Sequence, residues 1–334
     1  MRPFALLLAA LASLAAAASQ SPKAEGHAAT PLIFDTDIGN DVDDCLALAI
    51  LHAFESRGEI RIVAVTITKD NPWAPRLASA INRFYRRPGI PIGTVRDGQT
   101  KDEGYLRKAI EAGHYPYEEN AEDAVTLLRH TLEAQAEGSV VIVQVGFSTN
   151  LARLLDSPGG RDLVSRKVKR LVVMGGDFSD GGPEYNIKTD IPAAQKLTGE
   201  WPVPIFWSGF EVGRTIKYPA QSIERDFGPP GTNPVADAYR NYMTMPYDRE
   251  TWDLTAALYA VRPDDGYFHI SQPGRVVVSV DGRTSFHPDT GGRDRILSVD
   301  AGQRARILEA FLWLCTQPRP ASANSPLAQK PSLR

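Results

Sequence analysis

Residues Leu32–Leu48 read LIFDTDIGNDVDDCLAL, with Asp35, Asp37, Asp41, Asp43 and Asp44 crowded between two apolar runs. Leu32, Ile33 and Phe34 have the short, continuous apolar character of a strand buried on both faces. Leu46, Ala47, Ala49, Ile50 and Ala53 then give a broad apolar face at helical spacing that ends near Gly58. The acids therefore fall in a strand-to-helix loop, which in an open α/β sheet lies at the carboxyl edge where ligands bind. One Asp there is ordinarily a helix cap. Five would repel one another severely without a cation, so the loop predicts a hard divalent metal held by oxygen, Ca²⁺ or Mg²⁺. An EF-hand is excluded: counting from Asp35 puts Asn40 where the sharp-turn Gly belongs and Leu46 where the bidentate Glu belongs.

Strand-like runs at 61–66, 90–92, 139–145, 169–174 and 203–206 alternate with helix-like segments near 75–86, 121–137, 150–156 and 191–198. This alternation predicts an α/β fold with an open, mostly parallel, doubly wound sheet. Runs at 276–280 and 295–299, beside the turn residues Asp281-Gly282 and Gly291-Gly292, predict a late antiparallel excursion before a last helix near 301–315.

Residues 1–20 carry Arg2, a Leu/Ala-rich run and small residues around Ala16–Ser19, the layout of a secretory signal peptide. The protein is thus expected to be exported, periplasmic or secreted, with no stable membrane insertion after cleavage. One α/β domain is expected over 28–317, followed by a Pro-, Ser- and Ala-rich disordered tail over 318–334. With 37 basic and 40 acidic residues and a net charge of -3, the chain has no electrostatic footprint for nucleic acid or an anionic membrane. A small-molecule partner is expected; a homo-oligomer is compatible, with no motif specifying an interface. The only cysteines, Cys45 and Cys315, supply no disulfide framework and read as structural.

Asp35-Thr36-Asp37-Ile38-Gly39 followed by Asp43-Asp44-Cys45 resembles the amino-terminal signature of the inosine-uridine nucleoside hydrolase family, Asp-x-Asp-Pro-Gly-x-Asp-Asp-Ala. Ile stands for Pro, Cys for Ala, and the loop is two residues longer, which brings in Asp41. Three further segments follow in order. Val145–Ala152 resembles the family's Gly-Pro-Leu-Thr-Asn-Leu-Ala turn, and Val173-Met174-Gly175-Gly176 with Glu184-Tyr185-Asn186 and Asp190 resembles its Met-Gly-Gly…Glu-Phe-Asn…Asp block. Trp252-Asp253 falls where the family commonly has His-Asp. The similarity spans about residues 31–260, and four ordered motifs are far more specific than one.

The resemblance implies a Ca²⁺-dependent enzyme in which metal-bound water attacks the anomeric carbon of a ribonucleoside, releasing base and ribose. It assigns metal ligation to Asp37, Asp44, Asp253 and the backbone carbonyl of Thr149, with Asp37 also the general base. Asp43 is implied to bind a ribose hydroxyl. Asn71, Glu184 and Asn186 are further sugar-binding candidates, because buried amides and carboxylates discriminate a hydroxyl from its absence. Phe210, Glu211, Tyr242 and Tyr247 are looser pocket candidates.

Two departures bear on how the base leaves. Trp252 replaces the His of many purine-cleaving relatives, and an indole N–H does not titrate near neutral pH; the residue is read as stacking on the base or as wall packing. Arg96-Asp97-Gly98 stands where a His-containing pattern is usual, and His114 and His130 have no motif context. The leaving-group acid is therefore unassigned.

Two other readings stand beside this one. Phosphatases of the haloacid dehalogenase type also begin with a strand and Asp-x-Asp, and Gly176-Asp177 with Asp180 echoes their later acidic motif; that reading predicts phosphate release. A catalytically weakened nucleoside or sugar binder predicts saturable binding without turnover.

Overall fold

In the computed structural model, which describes residues 29–179 and 182–317, the apolar run Leu32–Phe34 forms the middle of strand β1 (Thr30–Thr36). The segment read as a signal peptide, the tail from residue 318 and Asp180 lie outside the described residues. Alternate residues of β1 serve two different cores: Leu32 and Phe34 pack on one face of the sheet, Ile33 on the other. That division follows from the two-residue period of a strand covered by helices on both sides.

The chain continues through β2 (Ile60–Lys69), β3 (Ile92–Gln99), β4 (Glu122–Asp123), β5 (Val140–Gln144), β6 (Val168–Met174) and β7 (Ile205–Ser208). Two short strands, β8 (Lys217–Tyr218) and β9 (Arg249–Glu250), pair apart from the main sheet. They precede β10 (His269–Ile270), β11 (Gly274–Val278), β12 (Thr284–Pro288) and β13 (Asp294–Ser298). The main sheet runs β12-β11-β13-β7-β6-β5-β1-β2-β3-β4. From β1 the chain winds outward to β4, then returns to β1's other side with β5, so β1 and β5 flank the point where strand order reverses. Ligand crevices of open α/β sheets form outside the carboxyl ends at such a point.

The expected mostly parallel architecture is what the sheet adopts, with β11–β12 and β10–β13 antiparallel. The late excursion is not wholly antiparallel: β13 pairs parallel to β7, Asp294 opposite Ile205. The run at 90–92 starts its strand only at Ile92, because Pro91 has no N–H to donate, although its carbonyl accepts from Val65 at 3.0 Å. The helix Trp252–Val261 escaped the helical reading because it is buried on nearly all sides and lacks an amphipathic stripe. Among the described residues no helix is long and apolar enough to cross a membrane.

Candidate active site

The acid loop leaves β1 at Thr36, turns at Gly39 with φ 113°, and enters the helix Asp43–Ser56, whose first turn holds Asp43 and Asp44. Negative charge is favoured at that end of a helix. A second helix amino terminus faces it, bringing Asp253 into the first turn of Trp252–Val261. The Asp253 backbone N–H donates to Asp43 Oδ2 at 3.0 Å, and the Thr36 hydroxyl donates to Asp44 Oδ1. One oxygen from each of Asp43, Asp44 and Asp253 lies within 4.8 Å of the others, and all three side chains are buried.

Burial, and after it the neighbouring carboxylates, pushes the pKa of Asp44 and Asp253 well above the usual range; Asp43 is raised by burial and by Asp41. Burial lifts Asp37 to about 7 although the Asn40 amide donates to it at 2.8 Å. Asp44 Oδ2 has no hydrogen-bond partner despite complete burial. Clustered hard oxygens with an orphaned carboxylate atom among them fit a divalent cation, which would offset the repulsion.

Asp35 sits beneath the loop. It accepts from the Thr66 hydroxyl at 2.5 Å and the Asn150 amide at 2.9 Å, so it ties β1 to β2 and to the helix Thr149–Asp156. Gly146 permits the close approach of the turn after β5: a Cβ there would meet Asp37 N at 2.6 Å and Thr36 C at 2.8 Å.

These acids form one side of a cavity of about 530 Å³. Glu184 and Asn186, from the loop and short helix after β6, supply another. Glu184 is held by the N–H groups of Gly176, Asn186 and Ile187, and Asn186 donates to the Val145 carbonyl at 2.7 Å. The remaining wall is aromatic. Phe210 and Trp252 stack with centroids 5.4 Å apart, and the indole N–H donates to the Phe210 carbonyl at 3.0 Å. Arg249 lies 5.2 Å from the Tyr242 and Trp252 ring centroids while its guanidinium forks onto Asp41.

Of the residues singled out in the sequence, Asp37, Asp43, Asp44, Glu184, Asn186, Trp252 and Asp253 line this one cavity, as do Phe210 and Tyr242. Others do not reach it. Asn71 donates to the Lys101 and Asp102 carbonyls and accepts from Trp73 N, so its amide organises a loop and helix start. Thr149 opens a helix with its hydroxyl on Asp190 at 2.5 Å. Tyr247 donates to the Tyr239 carbonyl, and Glu211 accepts from Phe178 N. His114 and His130 are exposed, and among the described residues no histidine lines the cavity.

Asp43, Asp44 and Asp253 each place one oxygen within 4.8 Å of the others, and the implied ligands Asp37, Asp44 and Asp253 line the same cavity as Asp43. Sequence reasoning missed Arg249, Asn40 and Lys188 on the wall. The additional Asp41 was a usable signal for the first, since a half-buried carboxylate calls for a counter-charge.

Fold and site together place a carboxylate-lined pocket that could hold a metal at the switch point of an α/β sheet. The chain belongs to the inosine-uridine preferring nucleoside hydrolase family, whose model matches residues 32–308. Its fold is shared by a plant nucleoside hydrolase, PpNRh1, at 21% identity and TM-score 0.68, covering 86% of this chain and 99% of that one. An inosine-uridine preferring nucleoside hydrolase from Bacillus anthracis is similar at 19% identity and TM-score 0.67, with 86% and 99% covered. A purine-preferring ribonucleoside hydrolase from Gardnerella vaginalis is similar at 20% and 0.67, with 86% and 98% covered. No curated protein sequence matches significantly.

Proposed function

We propose that this protein hydrolyses the N-glycosidic bond of ribonucleosides, giving free base and ribose, with Ca²⁺ as its metal. The observation that carries the reading is the buried Asp43, Asp44 and Asp253 group with Asp37 beside it, at the carboxyl edge of a nucleoside-hydrolase fold. Asp37, Asp44 and Asp253, with the Thr149 backbone carbonyl, would hold the ion, and Asp43, one oxygen of which lies within 4.8 Å of Asp44 and Asp253, would take a ribose hydroxyl. A bound divalent cation supplies Lewis acidity and an anchor for sugar hydroxyls, and an all-oxygen donor set suits Ca²⁺.

Asp37 is the base that takes the proton from attacking water, on the cavity wall with its Oδ2 held by Asn40. Glu184 and Asn186, fixed by backbone partners, grip the ribose. The base then lies against Phe210, Trp252 and Tyr242, where aromatic faces accept a planar ring. Export, read from residues 1–20, is part of the same proposal.

The test is a panel of inosine, uridine, adenosine, guanosine, cytidine and phosphate esters with chromatography of the products. Base plus ribose is expected; phosphate release alone, or saturable binding with no product, would overturn the reading. Asp44→Asn and Asp253→Asn should each lower turnover about a hundredfold or more, the scale of losing one preorganised electrostatic group. Calcium titration of the folded variants should show weakened binding, and unchanged metal content in either would remove that residue from the shell.

A further inference from the structure

We propose that Lys69 is a positioning residue for the reaction: its ammonium fixes the polarity of the Asn40 amide, which in turn holds one oxygen of Asp37. The inference rests on the hydrolytic role given to Asp37 above.

Lys69 ends β2, and its side chain is wholly buried. Lysine is almost never buried without a partner. Its Nζ donates to Asn40 Oδ1 at 2.7 Å and to Asp102 Oδ1 at 3.0 Å. Asp102 is 69% exposed, so water screens that pair, whereas the Asn40 contact is sheltered. Asn40 Nδ2 donates to Asp37 Oδ2 at 2.8 Å and to the Thr100 hydroxyl at 3.3 Å.

An ammonium can only donate, and a primary amide offers a donor on one side and an acceptor on the other. With Lys69 present the amide has one workable orientation, Oδ1 toward the ammonium and Nδ2 toward Asp37. Reversed, it would set an NH₂ against the ammonium and a carbonyl against the carboxylate. Without Lys69 only the carboxylate itself favours that choice, the amide is no longer tied to β2, and the donor that holds Asp37 Oδ2 loses its fixed position. Asn40 lies in the longer acid loop, so the relay joins that loop to the strand beside β1.

Steady-state kinetics on the calcium-loaded protein test this with Lys69→Met, Asn40→Ala, the double variant and Asn40→Asp. Lys69→Met keeps the apolar stem and should lower kcat about ten- to a hundredfold, the scale of a charge-assisted hydrogen bond, with KM within about threefold. In the Asn40→Ala background Lys69→Met should have no further effect. Asn40→Asp can still accept from Lys69 but cannot donate to Asp37, so its kcat should fall as well. Calcium titration separates positioning from simple charge: deleting a cation beside clustered carboxylates tightens calcium if charge alone acts, whereas loss of aim leaves affinity unchanged or weaker. Additive kcat losses, wild-type kcat in Asn40→Asp, or tightened calcium in Lys69→Met would overturn the proposal while leaving nucleoside hydrolysis intact. Absence of turnover in the unaltered protein would overturn both. If Lys69→Met does not fold, Asn40→Asp and Lys69→Arg, which keeps a donor-only cation and should retain most of kcat, carry the test.

Discussion

Trp252 gives its only side-chain N–H to the Phe210 carbonyl, so the indole has no proton left to donate to a base. With no histidine among the described residues of the wall, the proposed cleavage has no imidazole there to protonate the base. An aryl riboside with a good anionic leaving group is therefore expected to be cleaved disproportionately faster than an ordinary purine nucleoside. Trp252→Ala should lose natural nucleosides more than the aryl riboside; equal behaviour of both substrates would make the indole packing only. Single residues were legible as members of one cluster where a motif fixed their neighbours, as for Asp44 and Asp253. They were not legible where a long-range partner decides the role. Asn71 looked like a sugar contact because its loop precedes a helix near the site, yet two carbonyls across the loop capture its amide. Arg249 carried no motif at all, and only the fold brings it to Asp41, 208 positions away.

At the scale of elements, the site depends on how closely two strand exits approach. A Cβ on Gly146 would lie 2.4 Å from the Thr68 hydroxyl and within 2.8 Å of backbone on either side of the Thr36–Asp37 peptide, and backbone cannot move aside as a flexible side chain can. Gly146→Ala is expected to cost about 1–3 kcal/mol of stability, as overpacking does, and to reduce turnover sharply because Asp37 shifts. Urea unfolding together with kinetics checks this, and a variant of wild-type stability and activity would show that the turn relaxes. The strands of the parallel sheet were readable because burial on both faces writes continuous apolar runs. Helices such as Pro234–Tyr242 and Trp252–Val261 were not, since one opens on an Asn-Pro turn signal and the other has no polar face. The direction of β13 was equally hidden, because parallel pairing with β7 is set by the path of the chain, not by local pattern.

At the scale of the whole molecule, the helix that starts with Asp43 and Asp44 also carries a buried histidine. Burial lowers His52 to about 3, with an Asn82 hydrogen bond opposing the shift and Arg87 adding to it. The unfolded chain takes up that proton below about pH 6.5, the folded chain only near pH 3. Between these values the unfolded state binds more protons, so this contribution to stability is full above about pH 6.5 and is lost as pH falls toward 3. Full loss amounts to a few kcal/mol, on the order of 1.4 kcal/mol per pH unit crossed. Urea unfolding at pH 7 and pH 4.5 should show a smaller drop in His52→Gln than in the unaltered protein; identical drops would place the acid sensitivity elsewhere.

Asp43 and Asp253 stand 210 positions apart in the chain yet share one cluster of oxygens. An ion held in that cluster by Asp44 and Asp253 would be a reversible cross-link closing a loop of most of the domain. In a chain-entropy picture a closure of that length removes roughly 5 kcal/mol of disorder from the unfolded ensemble, provided the ion stays bound to both ends. The ion would also bind the native state in preference to the unfolded one, so the melting temperature should climb with free calcium concentration and fall on chelation. Limited proteolysis should follow the same course, with chelated protein cut sooner in the chain between the two ends. Melting and cleavage indifferent to calcium would mean that hydrogen bonds and packing alone keep the first strand and the last third of the fold together.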